Sequence, residues 1–314
     1  MKILITGGNG YKGTVLIPRL LKNGHFVKCI DNNWFGDYLD LHQNLEKIKC
    51  DIRDIKKEHL DGIDTVIHLA NIANDPLVDL NPQLSWEVNV LASYKLAELC
   101  KKSAVKQLIF ASSGSVYGVS DEPLVVEETE LVPISAYNKT KMIAERVFLS
   151  YKEYFKVFCI RPATVCGVSP RMRLDVSVNI LTYSALKNGV IKVFGGDQTR
   201  PNIHIEDICR VYEFFLDNFE TLPSGFFNAG FENISILDIA QKVKSKLPDV
   251  KIEITPSNDP RSYRQCSDKL LSLGFRPIKK VDDAISEIIT AYRNRNLNDN
   301  ETCFSVKFLK ERKF

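Results

Sequence analysis

The chain has 314 residues, 44% of them hydrophobic and 26% charged, with a formal charge of +3. That length suits one large domain or two unequal ones, and the balance is that of a soluble globular protein. A small charge spread along the chain argues against a nucleic-acid partner and leaves an anionic small molecule open. The 8 cysteines form no C-x-x-C pair and no metal-type spacing, so reduced thiols in a cytoplasmic protein and no metal site are expected. The first residues run straight into a strand-like KILIT, which leaves no room for a signal peptide. No apolar run approaches the ~20 residues of a membrane helix, so no membrane is expected.

KILIT (2–6) opens directly onto TGGNGYKGT, with Gly7, Gly10 and Gly13 in a G-x-x-G-x-x-G spacing. A helical pattern follows to about Asn23, and Gly24 is its C-cap. Glycines at a strand-to-helix turn let the backbone approach a pyrophosphate seated on the positive helix N-terminus. FVKCI (26–30) is the second strand and ends at Asp31. A carboxylate there accepts hydrogen bonds from the adenine-ribose hydroxyls and repels a 2′-phosphate. No arginine follows closely, so NAD is favoured over NADP.

EKIKC (46–50), TVIHLA (65–70), QLIFAS (107–112) and KVFCIR (156–161) read as further strands. They are rich in β-branched residues and do not alternate strictly, as strands buried on both faces should be. Between them, Asn81-Pro82 places an N-cap before proline at the first helical position, and that helix should run to about Lys102. Trp86 on it reads as packing. Repeated strand–helix alternation implies a parallel, doubly wound Rossmann sheet.

Residues 134–141, ISAYNKTK, carry a tyrosine with lysines two and four places on. Helix positions four apart share a face, so Tyr137 and Lys141 line one cleft while Lys139 points away. A phenol titrates near ~10, and a fixed ammonium beside it draws that pKa toward neutrality.

Beyond Arg161 the regularity falls away. Segments 166–200 and 250–280 are rich in Gly, Pro, Asn and Arg. A helical stretch near 206–219 and FFNAG (226–230) look regular again. The division expected is an NAD-binding domain over 1–165, rejoined by 206–230, and a smaller, mainly substrate-binding α/β domain over 166–314. Residues 294–314, polar and lysine-rich after Asn300, read as a frayed tail.

TGGNGYKG, CDIRD (50–54), VIHLAN (66–71), FASSGSVYG (110–118) and Y-x-x-x-K (137–141) come in the order and spacing of a known family. The chain resembles an extended short-chain dehydrogenase/reductase of the nucleotide-sugar epimerase/dehydratase group. RPATVCG (161–167), TRPNIHIED (199–207) and the 259–275 stretch extend the resemblance over nearly the whole length. It implies that Ser113 hydrogen-bonds the reacting sugar hydroxyl, that Tyr137 is the base, and that Lys141 binds the nicotinamide ribose and lowers the tyrosine pKa. It assigns Tyr11, Lys12, Asn32, Asp51, Ile52, Leu69, Ala70, Asn71 and Asn89 to the cofactor, with the three glycines and Asp31. Ser115, Thr164, Asn179, Arg200, Arg261 and Tyr263 are assigned to the nucleotide sugar, the two arginines to its diphosphate. His204 and Asp207 read as structural. A homodimer through helices 82–102 and 134–153 is also implied.

Three residues depart from the group's pattern: Lys12 for an apolar residue, Thr164 for an asparagine and Cys166 for a tyrosine. Lys12 is left with solvent or a phosphate as its destination. The reaction expected first is C4 epimerisation of a nucleotide hexose through a 4-keto intermediate, because Gly114 and Ser115 supply neither carboxylate nor thiol beside Ser113. The alternatives are a 4-dehydrogenase or 4-ketoreductase with net redox, and a non-catalytic sensor on the same fold.

Overall fold

A computed structural model describes residues 1–119, 122–256 and 262–312. Strand β1 (Lys2–Thr6) leads into helix α1 (Gly13–Lys22), and β2 (Phe26–Asp31) and β3 (Leu45–Lys49) follow. Next come β4 (Thr65–His68), α2 (Asp75–Leu80), α3 (Pro82–Trp86) and, after one wide turn over Glu87–Leu91, α4 (Ala92–Lys102). β5 (Gln107–Ala111), α5 (Ala136–Leu149) and β6 (Lys156–Pro162) complete the regular half.

The second half supplies β7 (Thr164–Cys166), α6 (Ser177–Asn188), β8 (Val190–Phe194), β9 (Thr199–His204) and α7 (Ile205–Asn218). It continues through β10 (Gly225–Ala229), β11 (Glu232–Ser235), α8 (Ile236–Lys246), β12 (Lys251–Thr255) and α9 (Asp268–Ser272). It closes with α10 (Val281–Arg293) and α11 (Ser305–Glu311).

Among the described residues, seven strands form one sheet in the order β10-β6-β5-β4-β1-β2-β3. Every pairing in it is parallel. The sheet is doubly wound. α1 and α7 cover one face, where Leu16, Ile17, Leu20, Val211 and Phe215 pack on Ile3, Ile5 and Ile109. α4 and α5 cover the other, with Leu96, Ala97, Ala144 and Phe148 against Leu4, Val66 and Leu108. Burial on both faces explains why these strands read as unbroken apolar runs; each such side chain contributes ~1.5–3 kcal/mol. Chain reversal through α7 returns β10 to this sheet, beside β6.

The remaining strands build two small sheets, β11-β9-β7 and β12-β8, and α6, α8 and α10 share their own apolar cluster. Both sit on the side where the parallel strands end.

The helix expected to run unbroken over 82–102 is interrupted by the wide turn. Asn89 lies in that turn and faces inward, where its side-chain oxygen accepts the Ile72 N–H at 2.9 Å and its amide donates to the Ile72 carbonyl at 3.2 Å. Such turns are frequent at functional sites. Trp86 is not packed as expected: it is 37% exposed, with Leu91 at 62% and Tyr94 at 53% on the same helical run. The frayed tail is also corrected. Cys303, Phe308 and Leu309 are buried, and the last two join the core of the first domain.

All eight cysteines are free thiols. Among the described residues no His, Cys, Asp and Glu group could hold a metal, and no helix is long and apolar enough to cross a membrane.

Candidate active site

The C-terminal ends of the parallel strands open onto one cleft. Its floor is the turn between β1 and α1. Gly7 has φ +72°, and a Cβ there would meet the Ala70 backbone nitrogen at 2.5 Å; at Gly13 a Cβ would meet the Gly8 carbonyl oxygen at 2.3 Å. Only glycine fits a turn this tight between strand and helix.

Asp31, at the end of β2, closes that turn. Its carboxylate accepts the N–H of Asn9 at 2.9 Å and of Asn33 at 2.8 Å. Burial nevertheless holds its carboxyl above the ordinary range, against those two hydrogen bonds. Around it Asn32, Trp34, Phe35, Asp51, Ile52, Leu69, Ala70 and Asn71 line a slot of about 120 Å³. Both polar atoms of the Asn71 side chain are buried and lack a protein partner among the described residues. An orphaned amide on the slot wall, a glycine floor and a carboxylate at the ribose position are the donors and acceptors a dinucleotide requires.

Deeper in, the cleft widens to a cavity of about 350 Å³. Ser112, Ser113 and Ser115 reach it from the end of β5, Tyr137 and Lys141 from α5, Thr164 from β7, and Arg200 and Tyr263 from the smaller domain. Ser113 and Ser115 share a hydrogen bond of 2.7 Å, and Ser113 lies near enough to Tyr137 to ease its ionisation. The serine, tyrosine and lysine thus line the same cavity, and Lys139 is exposed on the opposite side of its helix.

The electrostatics differ from the sequence expectation in one respect. Lys141 donates to the Ala111 carbonyl at 2.6 Å, and its Nζ lies 4.7 Å from the Phe110 ring centroid. Burial drives its pKa well below the ordinary lysine value, with the Lys12 charge acting in the same direction. Burial raises the Tyr137 pKa, and the Ser113 side chain and then Arg173 oppose the rise. In the protein alone the Lys141 side chain is thus turned to a carbonyl, and burial favours its neutral amine.

Lys12 is half-buried on the cavity wall, with no acidic partner among the described residues. Its Nζ stands 5.9 Å from the centroid of the buried Tyr212 ring, and burial lowers its pKa to about 8. Tyr11 lines the cavity while its hydroxyl donates to the Gly167 carbonyl at 2.7 Å.

Two assigned residues do not face the site. Asn179 is fully buried; it accepts the Gly167 N–H and donates to Tyr11 at 3.0 Å and to the Arg173 carbonyl at 2.8 Å, which uses its amide fully. Asn89 is likewise fully buried and braces Ile72 and Thr140. Both hold the walls rather than form them. Arg261 lies outside the described residues. His204 caps α7, accepting the Glu206 N–H at 3.2 Å, and Asp207 binds Arg210 and the N–H groups of Ile278 and Lys279.

The cavity also holds residues the sequence reading missed. Arg171 and Arg173 enter from the loop after β7, Asp75 from the start of α2, and Ser305 and Leu309 from α11. Asp75 accepts a hydrogen bond from Ser135, the N-cap of α5. The pair of arginines in SPRMR was the visible signal; nothing marked the C-terminal residues. Beside this cavity a second, of about 610 Å³, shares Thr164, Val176 and Arg200 with it and is lined further by Ile180, Lys192 and Phe194.

A family profile described as NAD dependent epimerase/dehydratase matches residues 3–230. The chain belongs to that family. Among its relatives, a UDP-glucose 4-epimerase of Lactobacillus helveticus is 28% identical, over 91% of this chain and 95% of its own. A UDP-glucuronic acid decarboxylase 1 of Danio rerio is 27% identical, over 94% of this chain and 73% of its own. The structure of a UDP-glucuronic acid 4-epimerase from Bacillus cereus, with UDP-glucuronic acid and NAD, superposes with a TM-score of 0.83 at 25% identity, covering 94% of this chain and all of the other. As a member of the epimerase/dehydratase family the chain is an NAD-dependent enzyme, and the glycine floor, Asp31 and Asn71 fit that cofactor.

Proposed function

We propose that the protein inverts C4 of a nucleotide hexose through a transient 4-keto sugar, without net redox. The observation that supports this reading is that Ser113, Tyr137 and Lys141 line one cavity together with Gly7, Gly10 and Asn71 of the slot and Thr164 and Arg200 of the second cavity. NAD supplies a reversible hydride acceptor when bound; the rest is the work of this chain. Ser113 orients the sugar hydroxyl and Tyr137 takes and returns its proton. Burial first, and the Asp75 charge after it, oppose the phenolate, so Tyr137 depends on cationic help from Arg173 and from the positive nicotinamide. Arg200, on the wall common to both cavities, is the natural seat of the nucleotide diphosphate, and the second cavity takes the nucleoside. A 4-dehydrogenase would use the same residues but leave reduced cofactor behind.

Asp75 favours a second reading. It is a carboxylate on the wall of the reaction cavity, near enough to act on Tyr137, and a further acid or base is what loss of water from a 4-keto sugar needs. Incubation with a panel of UDP-, GDP- and dTDP-hexoses, followed by NMR of the sugar products, separates the readings. C4 inversion supports the first, and loss of water with a product dependent on Asp75 supports the second. Reduced cofactor in proportion to product would replace both with a dehydrogenase.

A further inference from the structure

The C-terminal segment starts on one domain and finishes on the other. After α10 the Asn298 amide donates to the Pro170 carbonyl at 3.2 Å, and Tyr183 donates to Asp299 at 2.8 Å. The Cys303 carbonyl then accepts the Leu174 N–H at 2.8 Å. The chain next crosses to the NAD-binding domain. Thr302 shares a hydrogen bond of 2.9 Å with Tyr38, and the Phe308 ring lies 5.7 Å from that of Phe35. Phe308 and Leu309 bury themselves with Leu77 and Val78 of α2. Ser305 and Leu309 thereby become part of the cleft wall, facing the same space as Gly10, Phe35 and Asn74.

We propose that residues 297–312 are a strap that closes the cofactor cleft and sets how long NAD stays bound.

Arg171 links the strap to the cofactor. It is 3% exposed, and its guanidinium carbon stands 4.0 Å from the Phe35 ring centroid. One terminal nitrogen donates to the Ser305 hydroxyl at 2.8 Å and toward the Thr302 carbonyl at 3.4 Å. Its Nε–H has no partner, and no carboxylate among the described residues pairs with it. A buried cation with an unmet donor is costly unless an anion joins it, and burial has already lowered its pKa to about 10. The anion that the glycine turn admits beside it is the dinucleotide diphosphate. The strap therefore aims Arg171, the diphosphate satisfies it, and strap docking and NAD binding strengthen each other by linkage.

The test is the NAD dissociation rate, read by chasing labelled NAD off the loaded protein with an excess of unlabelled NAD. The full chain is compared with a variant ending at Asn296 and with full-length Phe308→Asp and Ser305→Ala. Phe308→Asp undocks the landing site and leaves the rest of the chain in place, so it serves if the truncated chain does not fold. Release should be ~10- to 100-fold faster in the truncated and Phe308→Asp proteins, since each tenfold corresponds to the loss of about one charge-assisted contact. Ser305→Ala should give a smaller acceleration. Amide exchange over 302–311 should slow when NAD is added to the full chain. Unchanged release from a folded strap variant overturns the proposal. So does an Arg171→Leu protein that loses NAD quickly while Phe308→Asp does not.

Discussion

The Tyr137 hydroxyl sits where burial resists its ionisation, and the nearby Ser113 side chain is its main local relief. Tyr137→Phe deletes the proposed proton acceptor and little else. Turnover should fall by ~10²–10⁴, the usual weight of a positioned acid–base group, with melting temperature and bound NAD nearly unchanged. Residual activity near that of the parent would mean that another group takes the proton. A second residue sets the response to acid. His68 is fully buried between Thr6 at 2.6 Å and Ser93 at 3.2 Å, and burial lowers its pKa to about 3, the Lys141 charge adding to the effect. The unfolded chain protonates this ring near ~6.5. Between those values the unfolded state holds the extra proton, so stability is complete above the upper one and is lost as pH falls toward the lower, by up to ~1.4 kcal/mol per unit. Urea unfolding of the parent and of His68→Asn at about pH 5 and about pH 7 checks this. The variant should lose stability at both and show the flatter dependence; an equal slope would rule His68 out.

At the scale of elements, α5 is registered on the sheet by a buried ion pair. Arg161 of β6 and Glu145 of α5 are 1% and 0% exposed and meet in two hydrogen bonds of 2.9 and 2.8 Å. Arg161 also reaches Tyr117 and the Glu127 carbonyl, which leaves no charge uncompensated. Glu145→Ala strands a buried guanidinium and should cost ~3–5 kcal/mol in urea unfolding. A loss below ~1 kcal/mol would show that water enters the gap. The strands of the parallel sheet, α1, α5 and α7 were legible in the sequence because burial on two faces or one leaves a periodic signature; the strands of the two small sheets were not. The wide turn at 87–91 was not, since it depends on Asn89 reaching Ile72 across the fold. Neither was the tail: its polar composition hides that Phe308 finds Phe35 more than two hundred residues away. Motif position named Asn179 and Asn89 but could not tell that their side chains turn into the walls. The exposed Trp86, Leu91 and Tyr94 support the expected homodimer. Sedimentation at micromolar concentration should find dimers, and Leu91→Lys with Tyr94→Glu should yield monomers; a monomeric parent would remove the interface.

Over the whole molecule, two domains each bring half of a site that neither completes. The parallel sheet presents Ser113 from the end of β5, α5 presents Tyr137 and Lys141, and the smaller domain presents Thr164, Arg173, Arg200 and Tyr263 across the cleft. Basic side chains dominate the cavity, with Arg171, Arg173 and Arg200 beside Lys12 and Lys141 against Asp75, which suits the proposed binding of two diphosphates. The central claim is that one carbon is oxidised and then reduced again on its other face, within one closed cavity. A nucleotide hexose deuterated at C4 tests that claim most directly. Inverted product with the deuterium still at C4, and no accumulation of reduced cofactor, is the predicted result. Deuterium retained on reduced cofactor in proportion to product, or a product lacking the elements of water, would contradict it.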